Sequence, residues 1–358
     1  MKRISILIVT TFCVTVALSA PPAFAEVAWS EDSFETILEK ARAENKHVLI
    51  DFYTTWCGPC KKMDKETYTA LGVQEFLGEM IAVKIDCEKG EGIEVAEKFR
   101  VHVYPSTALL GPDGEEIDRV VGFLDADDFV TVMNNYKNGI ETVAYYEKKV
   151  KENPQDADLW KILGIKHADA GRSAEAIGAL QTYLELNPNA KTGEKAEVNY
   201  TVALAQYEAG EYKDAVGTYT DLAKNNPDSE WYDRSLTGAA RAYYKLGQEK
   251  KCIESYMKYV DRHPDDPGAL NSFAWFCASK RVGLDAALPV ALKAAELSDR
   301  SPGILDTLAE LYYARGEYDK AIKIGKEALS AEPEDQYFKD QIEKFQTAKI
   351  EAEKRAGK

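Results

Sequence analysis

The sequence predicts an α/β domain in the N-terminal third of the chain and an all-α solenoid of paired helices behind it. Three observations predict this. An apolar, β-prone run hands over to a helical run across a Cys-x-x-Cys segment at residues 57 to 60. Further β-like runs follow as far as about residue 121, with a helical stretch closing the domain at about residue 138. Beyond about Asp156, turn glycines and helix-ending prolines recur at near-constant spacing.

At the N-terminus, Lys2 and Arg3 form a short basic region, Ile4 to Leu18 is apolar, and Ala23-Phe24-Ala25 supplies a small-x-small cleavage site. Residues 1–25 therefore read as a signal peptide cleaved after Ala25, which predicts a periplasmic or secreted chain, with an uncleaved membrane anchor as the alternative. The apolar run is short for a spanning helix, and no later segment approaches the length of one. The chain has 358 residues, 45% of them hydrophobic and 29% charged, enough for two domains with full cores. Its net charge of −15 repels nucleic acid. Beyond Ala25 the cysteines are sparse, two in the motif and Cys87, Cys252 and Cys277 scattered. That argues against a disulfide scaffold and for cysteines that act.

His47 to Tyr53 (HVLIDFY) is the strand leading into the motif, and KKMDKETYTALGVQEFLGEM after it has helical spacing through Met63, Tyr68, Leu71 and Phe76. A sulfur at a helix start lies among unpaired N–H groups at the positive end of the macrodipole, which favours its thiolate. Asp51 interrupts an otherwise apolar strand, where an unpartnered carboxylate costs several kcal/mol. The run MIAVKIDC carries Lys84 and then Cys87, which alternates with Val83 and Ile85 and so faces the core. Pro105 precedes another apolar strand, a position that loses no interior ladder donor. Gly111 to Gly114 (GPDG) marks a hairpin turn, and Asp125 to Asn138 reads as a closing helix. Half of a zinc site is the competing reading of Cys57 and Cys60, but the other cysteines and the four histidines offer no second pair at zinc spacing.

Trp56-Cys57-Gly58-Pro59-Cys60 resembles the active-site sequence of thioredoxins, and from about Trp29 to Asn138 the chain resembles one such domain. The resemblance implies a central mixed sheet flanked by helices, at residues 26–139. It implies Cys57, the more exposed sulfur, as nucleophile and Cys60 as resolving thiol. Asp51 would be the proton acceptor for Cys60, and Lys84 the partner of Asp51; a two-residue change of register would put Ala82 there instead. Trp56, Gly58, Pro59, Tyr104, Pro105 and Gly122 would form the substrate surface, with Pro105 cis. No separate cofactor is implied, since the redox group is the Cys57–Cys60 disulfide, and no metal. Disulfide-containing proteins would be the substrates. A Gly-Pro pair between the cysteines belongs to the reducing end of the range, roughly −270 mV, so an exported reductase would need a donor, which the resemblance makes a membrane protein relaying electrons.

In the second part, the turn glycines Gly171, Gly210, Gly247 and Gly316 are each followed five residues later by Ala176, Ala215, Cys252 or Ala321. Each copy then closes at Pro188, Pro227, Pro264 or Pro333. Trp160, Leu163 and Gly164 open the first copy. This pattern resembles the 34-residue tetratricopeptide repeat (TPR) of paired antiparallel helices. Residues 140–155 read as a joining half-repeat, 156–334 as the solenoid, with Ala269 to Ser298 an irregular copy, and 335–358 as a capping helix. TPR arrays bind proteins or peptides on their concave face. Tyr200, Tyr207, Tyr244 and Tyr313 would either line that face or pack between repeats.

These features point to an exported thiol:disulfide oxidoreductase working as a reductase, with the repeats recruiting a protein partner. The alternatives are an interaction scaffold with an accessory redox domain, and a chaperone or isomerase.

Overall fold

A computed structural model describes residues 27–357 of the chain, so the expected signal segment lies outside the described residues. The chain divides into two compact units, meeting in sequence between Thr142 and Val143. Each has its own buried cores.

The first unit runs α1 (Phe34–Glu44), β1 (Val48–Tyr53), α2 (Gly58–Lys62), α3 (Leu71–Gly78), β2 (Ile81–Asp86), α4 (Gly92–Lys98), β3 (Ser106–Leu110), β4 (Glu116–Val121) and α5 (Ala126–Lys137). Its four-stranded sheet has the order β2-β1-β3-β4, with β1 parallel to β2 and the other two pairings antiparallel. The sheet is therefore mixed. Successive side chains of a strand point to opposite faces. Val48, Ile50 and Phe52 accordingly join Ala108, Leu110 and residues of α1 and α4 in one layer. Leu49 and Leu109 join Met63, Tyr68, Phe129 and Met133 in the other. Cys87 belongs to the first layer, 7% exposed.

One expectation fails here. The helical spacing after the motif predicts an unbroken helix, but α2 gives way to a π turn over Met63–Thr67, closed by the Tyr68 N–H donating to the Met63 carbonyl. The backbone then breaks before α3, whose N-cap Ala70 is extended. A π turn inserts a residue into the helix and rotates everything after it. Met63, Tyr68 and Phe76 of the periodic series still reach the core, but Leu71 of the same series is left 44% exposed.

The second unit consists of α6 (Val143–Glu152) and paired helices α7 (Ala157–Asp169) and α8 (Ser173–Leu186), α9 (Thr192–Glu208) and α10 (Tyr212–Asn225), α11 (Glu230–Lys245) and α12 (Glu249–Arg262), α13 (Pro267–Lys280) and α14 (Leu284–Leu297), and α15 (Pro302–Ala314) and α16 (Tyr318–Ala331). It ends on α17 (Gln336–Arg355). The four repeat glycines turn the chain between partner helices at positive φ, from 64° to 80°, which a side chain disfavours. Ala176, Ala215, Cys252 and Ala321 are fully buried, so partner helices approach closely there. Pro188, Pro227, Pro264 and Pro333 follow the ends of α8, α10, α12 and α16, and each preceding cap residue has left the helical region, as a following proline requires. The irregular copy, α13 and α14, lacks such a proline. It turns instead through Asp299 and Arg300, both at positive φ, and tolerates Pro289 inside α14. Phe338, Ile342 and Phe345 seat α17.

The four tyrosines pack between helices. Tyr200 meets Tyr219 and Trp231, Tyr207 meets Tyr212, Tyr244 meets Phe276, and Tyr313 meets Phe345. All four are half-buried, so each ring that packs against a neighbouring helix also keeps an accessible part.

Candidate active site

Val48 to Tyr53 forms a central strand because it is apolar on both faces, and it delivers the chain at Thr54 to the turn that starts α2. Cys57 is the N-cap of α2, its sulfur accepting the Cys60 N–H at 3.1 Å, and Pro59 occupies the first turn, where no N–H is needed. Cys57 and Cys60 form a disulfide. Neither is exposed in the disulfide state, at 3% and 2%, so exposure does not distinguish the expected nucleophile Cys57 from Cys60.

What stands in solvent is Trp56, 65% exposed. Its indole N–H donates to both carboxylate oxygens of Glu88, at 2.9 and 3.0 Å, and its ring meets Tyr104 edge-on at 6.1 Å. The Tyr104–Pro105 peptide is cis, and the Pro105 carbonyl accepts the N–H of Gly122 at 2.8 Å. Gly122 sits at φ 105°, with open space where a side chain would point. Gly58 likewise has nothing within 4 Å of where a Cβ would stand, so the backbone on either flank of the motif is open to an approaching chain. Burial and the neighbouring Cys87 thiol push the Tyr104 hydroxyl up to about 12, and burial does the same to Cys87, so both stay protonated at neutral pH. Cys87 is an unreactive thiol in this setting.

Behind the motif, Asp51 and Lys84 face each other across β1 and β2 in direct register, with Lys84 Nζ 3.3 Å from Asp51 Oδ2. This settles the alternative register in favour of Lys84. Asp51 is 1% exposed, and desolvation lifts its carboxyl to about 6 despite the ammonium beside it. The ammonium is shared. Asp64, in the π turn, binds it more closely than Asp51 does, and the rings of Trp29, Tyr53 and Tyr68 surround it at 4.9 to 5.4 Å. Desolvation of Lys84 is outweighed by the two carboxylates, which keep it protonated. Such a buried, half-neutralised carboxyl can take or give a proton near neutral pH.

Sequence reasoning missed Asp64 and Glu88. Asp64 was findable, because it stands one helical turn after Cys60, whereas Glu88 meets Trp56 from a distant part of the chain.

Fold and site together define a thioredoxin-like disulfide oxidoreductase domain carrying tetratricopeptide repeats. Residues 26–135 match the thioredoxin family model, and residues 143–191, 197–229 and 234–266 match tetratricopeptide repeat models. The chain is 33% identical over 107 residues to the thiol:disulfide interchange protein DsbD of Actinobacillus pleuropneumoniae, covering 28% of this chain and 18% of that one. It is 41% identical over 100 residues to the chloroplastic thioredoxin Y1 of Arabidopsis thaliana, covering 28% and 53%. A solved tetratricopeptide repeat protein from Parabacteroides merdae is similar at 18% identity and a TM-score of 0.43, over 57% of this chain and 73% of that one. The chain spans about a fifth of the length of the DsbD relatives it matches. Among the described residues no helix is long and apolar enough to cross a membrane, and no cluster of side chains could hold a metal ion.

Proposed function

We propose that this protein is an exported reductase of protein disulfides. The observation that carries the reading is the Cys57–Cys60 disulfide at the start of α2 with the Asp51–Lys84 pair buried behind it. In the reduced protein the Cys57 thiolate attacks one sulfur of a substrate disulfide, forming a mixed disulfide and releasing the other substrate sulfur as a thiolate. Asp51 accepts the Cys60 proton, and the Cys60 thiolate displaces the second substrate sulfur, closing Cys57–Cys60. Two electrons pass to the substrate, and a dithiol donor must return them. Trp56, Tyr104, the cis Pro105 and Gly122 form the surface on which a substrate strand lies. The donor in this reading is a membrane protein that relays electrons, and the repeats recruit or orient a protein partner on their concave face.

Redox titration of the full mature chain, with Cys87, Cys252 and Cys277 replaced by serine, tests the direction. A potential near or below about −250 mV is expected, whereas one near roughly −120 to −180 mV would make the protein an oxidant or isomerase. A Cys60→Ser variant should trap substrates as mixed disulfides through Cys57. Full rescue of a deletion strain by Cys57→Ser would leave the repeat solenoid as the functional part.

A further inference from the structure

Beside Asp51 lies a pair of hydroxyls that the exchange reaction leaves without a role. Tyr68 closes the π turn, and Thr107 stands directly across from Asp51 in β3, on the same face of the sheet. Asp51 Oδ1, Tyr68 OH and Thr107 Oγ1 are all sealed from solvent, and none has a hydrogen-bond partner among the described residues. The other oxygen of Asp51 is occupied by Lys84. The Tyr68 hydroxyl lies beside both Asp51 and Thr107. Its ring is held edge-on by Trp29 at 4.9 Å and Phe129 at 5.8 Å, so the hydroxyl stays there. A buried oxygen without a partner loses its hydration for nothing in return. Phenylalanine and valine would fill the same space without that loss.

We propose that Tyr68 and Thr107 are positioning residues that set the proton affinity of Asp51. When Asp51 is ionised, the Tyr68 hydroxyl donates to Oδ1 and the Thr107 hydroxyl donates to the Tyr68 oxygen. When Asp51 takes up a proton, its O–H donates to the Tyr68 oxygen and the chain reverses, with the Tyr68 hydroxyl donating to Thr107. Tyr68 keeps its own proton throughout, because burial first and then the charge of Asp51 hold it neutral. The other charged and titratable groups facing Asp51 are Lys84 from β2, Asp64 from the π turn, Tyr53 on its own strand and Cys87 just after β2.

This rests on the reading of Asp51 as the proton acceptor for Cys60, and the test separates the two. The Asp51 carboxyl is followed by 13C NMR in the full mature chain, assigned by Asp51→Asn, alongside the pH profile of disulfide reduction. Tyr68→Phe keeps the ring and removes the hydroxyl. The carboxylate then loses a donor, so its titration should move up by about one pH unit. Thr107→Val should move it in the same direction by less, and Thr107→Ser should restore it. A Tyr68→Phe titration superimposable on wild type overturns the proposal. If Tyr68→Phe moves the titration while Asp51→Asn leaves the rate profile unchanged, the positioning role stands and the acceptor role of Asp51 falls.

Discussion

At the scale of single residues, Asp51 weakens the fold through its buried carboxyl. Its carboxyl lies at 3.8 in the unfolded chain and about 6 in the folded one, so the native state binds more protons between those values. Stability therefore falls as pH rises through that window, by on the order of 3 kcal/mol from this group alone. Asp51→Asn should stabilise the oxidised protein by about that amount at pH 8, and the gain should vanish below about pH 4 in urea titrations. The same substitution should slow disulfide reduction by about 10²-fold or more, the usual worth of a positioned proton acceptor. Asp64 acts on Asp51 in two ways, by its own negative charge and by drawing Lys84 toward itself. Asp64→Asn removes both, so the Asp51 titration should move down, which the same 13C measurement would report.

Elements of the solenoid are held by close approach. A Cβ on Gly164 in α7 would stand 2.6 Å from Leu180 Cγ and 3.1 Å from its backbone nitrogen. Gly164→Ala should therefore cost about 1–3 kcal/mol. Gly178 in α8 has open space at the same place, and Gly178→Ala should stabilise by roughly 0.5–1 kcal/mol through helix propensity. Chemical denaturation of the pair compares packing with propensity in one repeat. Helix α17 presents a polar counterpart. The Tyr337 hydroxyl donates at 2.8 Å to Asp306 in α15, whose burial lifts its carboxyl to about 6. Tyr337→Phe should cost about 1–3 kcal/mol. The loss should be larger at pH 8 than at pH 4, because only the ionised carboxylate needs the donor.

For the whole molecule, separate cores predict separate melting. Residues 27–142 contain the disulfide and their own two hydrophobic layers, and the repeats form further clusters of their own. Calorimetry of oxidised and reduced protein should show more than one transition, with reduction moving the one that belongs to the first unit. A single transition that moves as a whole would show that the two units unfold together.

The redox motif, the strand that leads into it and the helical repeat were legible in the sequence because each depends on local chemistry, whereas the helices Phe34–Glu44 and Gly92–Lys98 were not read from it. Two cysteines three residues apart can close a ring wherever the backbone turns into a helix. Turn glycines and helix-ending prolines impose their φ restrictions one residue at a time, and apolar spacing reports which face of an element is buried. Asp51 was legible as a misfit in its strand, but its partner depended on register, which the structure decided in favour of Lys84. Tertiary structure alone decided that Asp64 shares the Lys84 ammonium, that Tyr68 and Thr107 converge on Asp51, that both cysteines are covered, and that the solenoid tyrosines pack between helices. Each of those outcomes joins groups distant in the chain, and the free energy that selects them arises only when the assembled core removes water from around them.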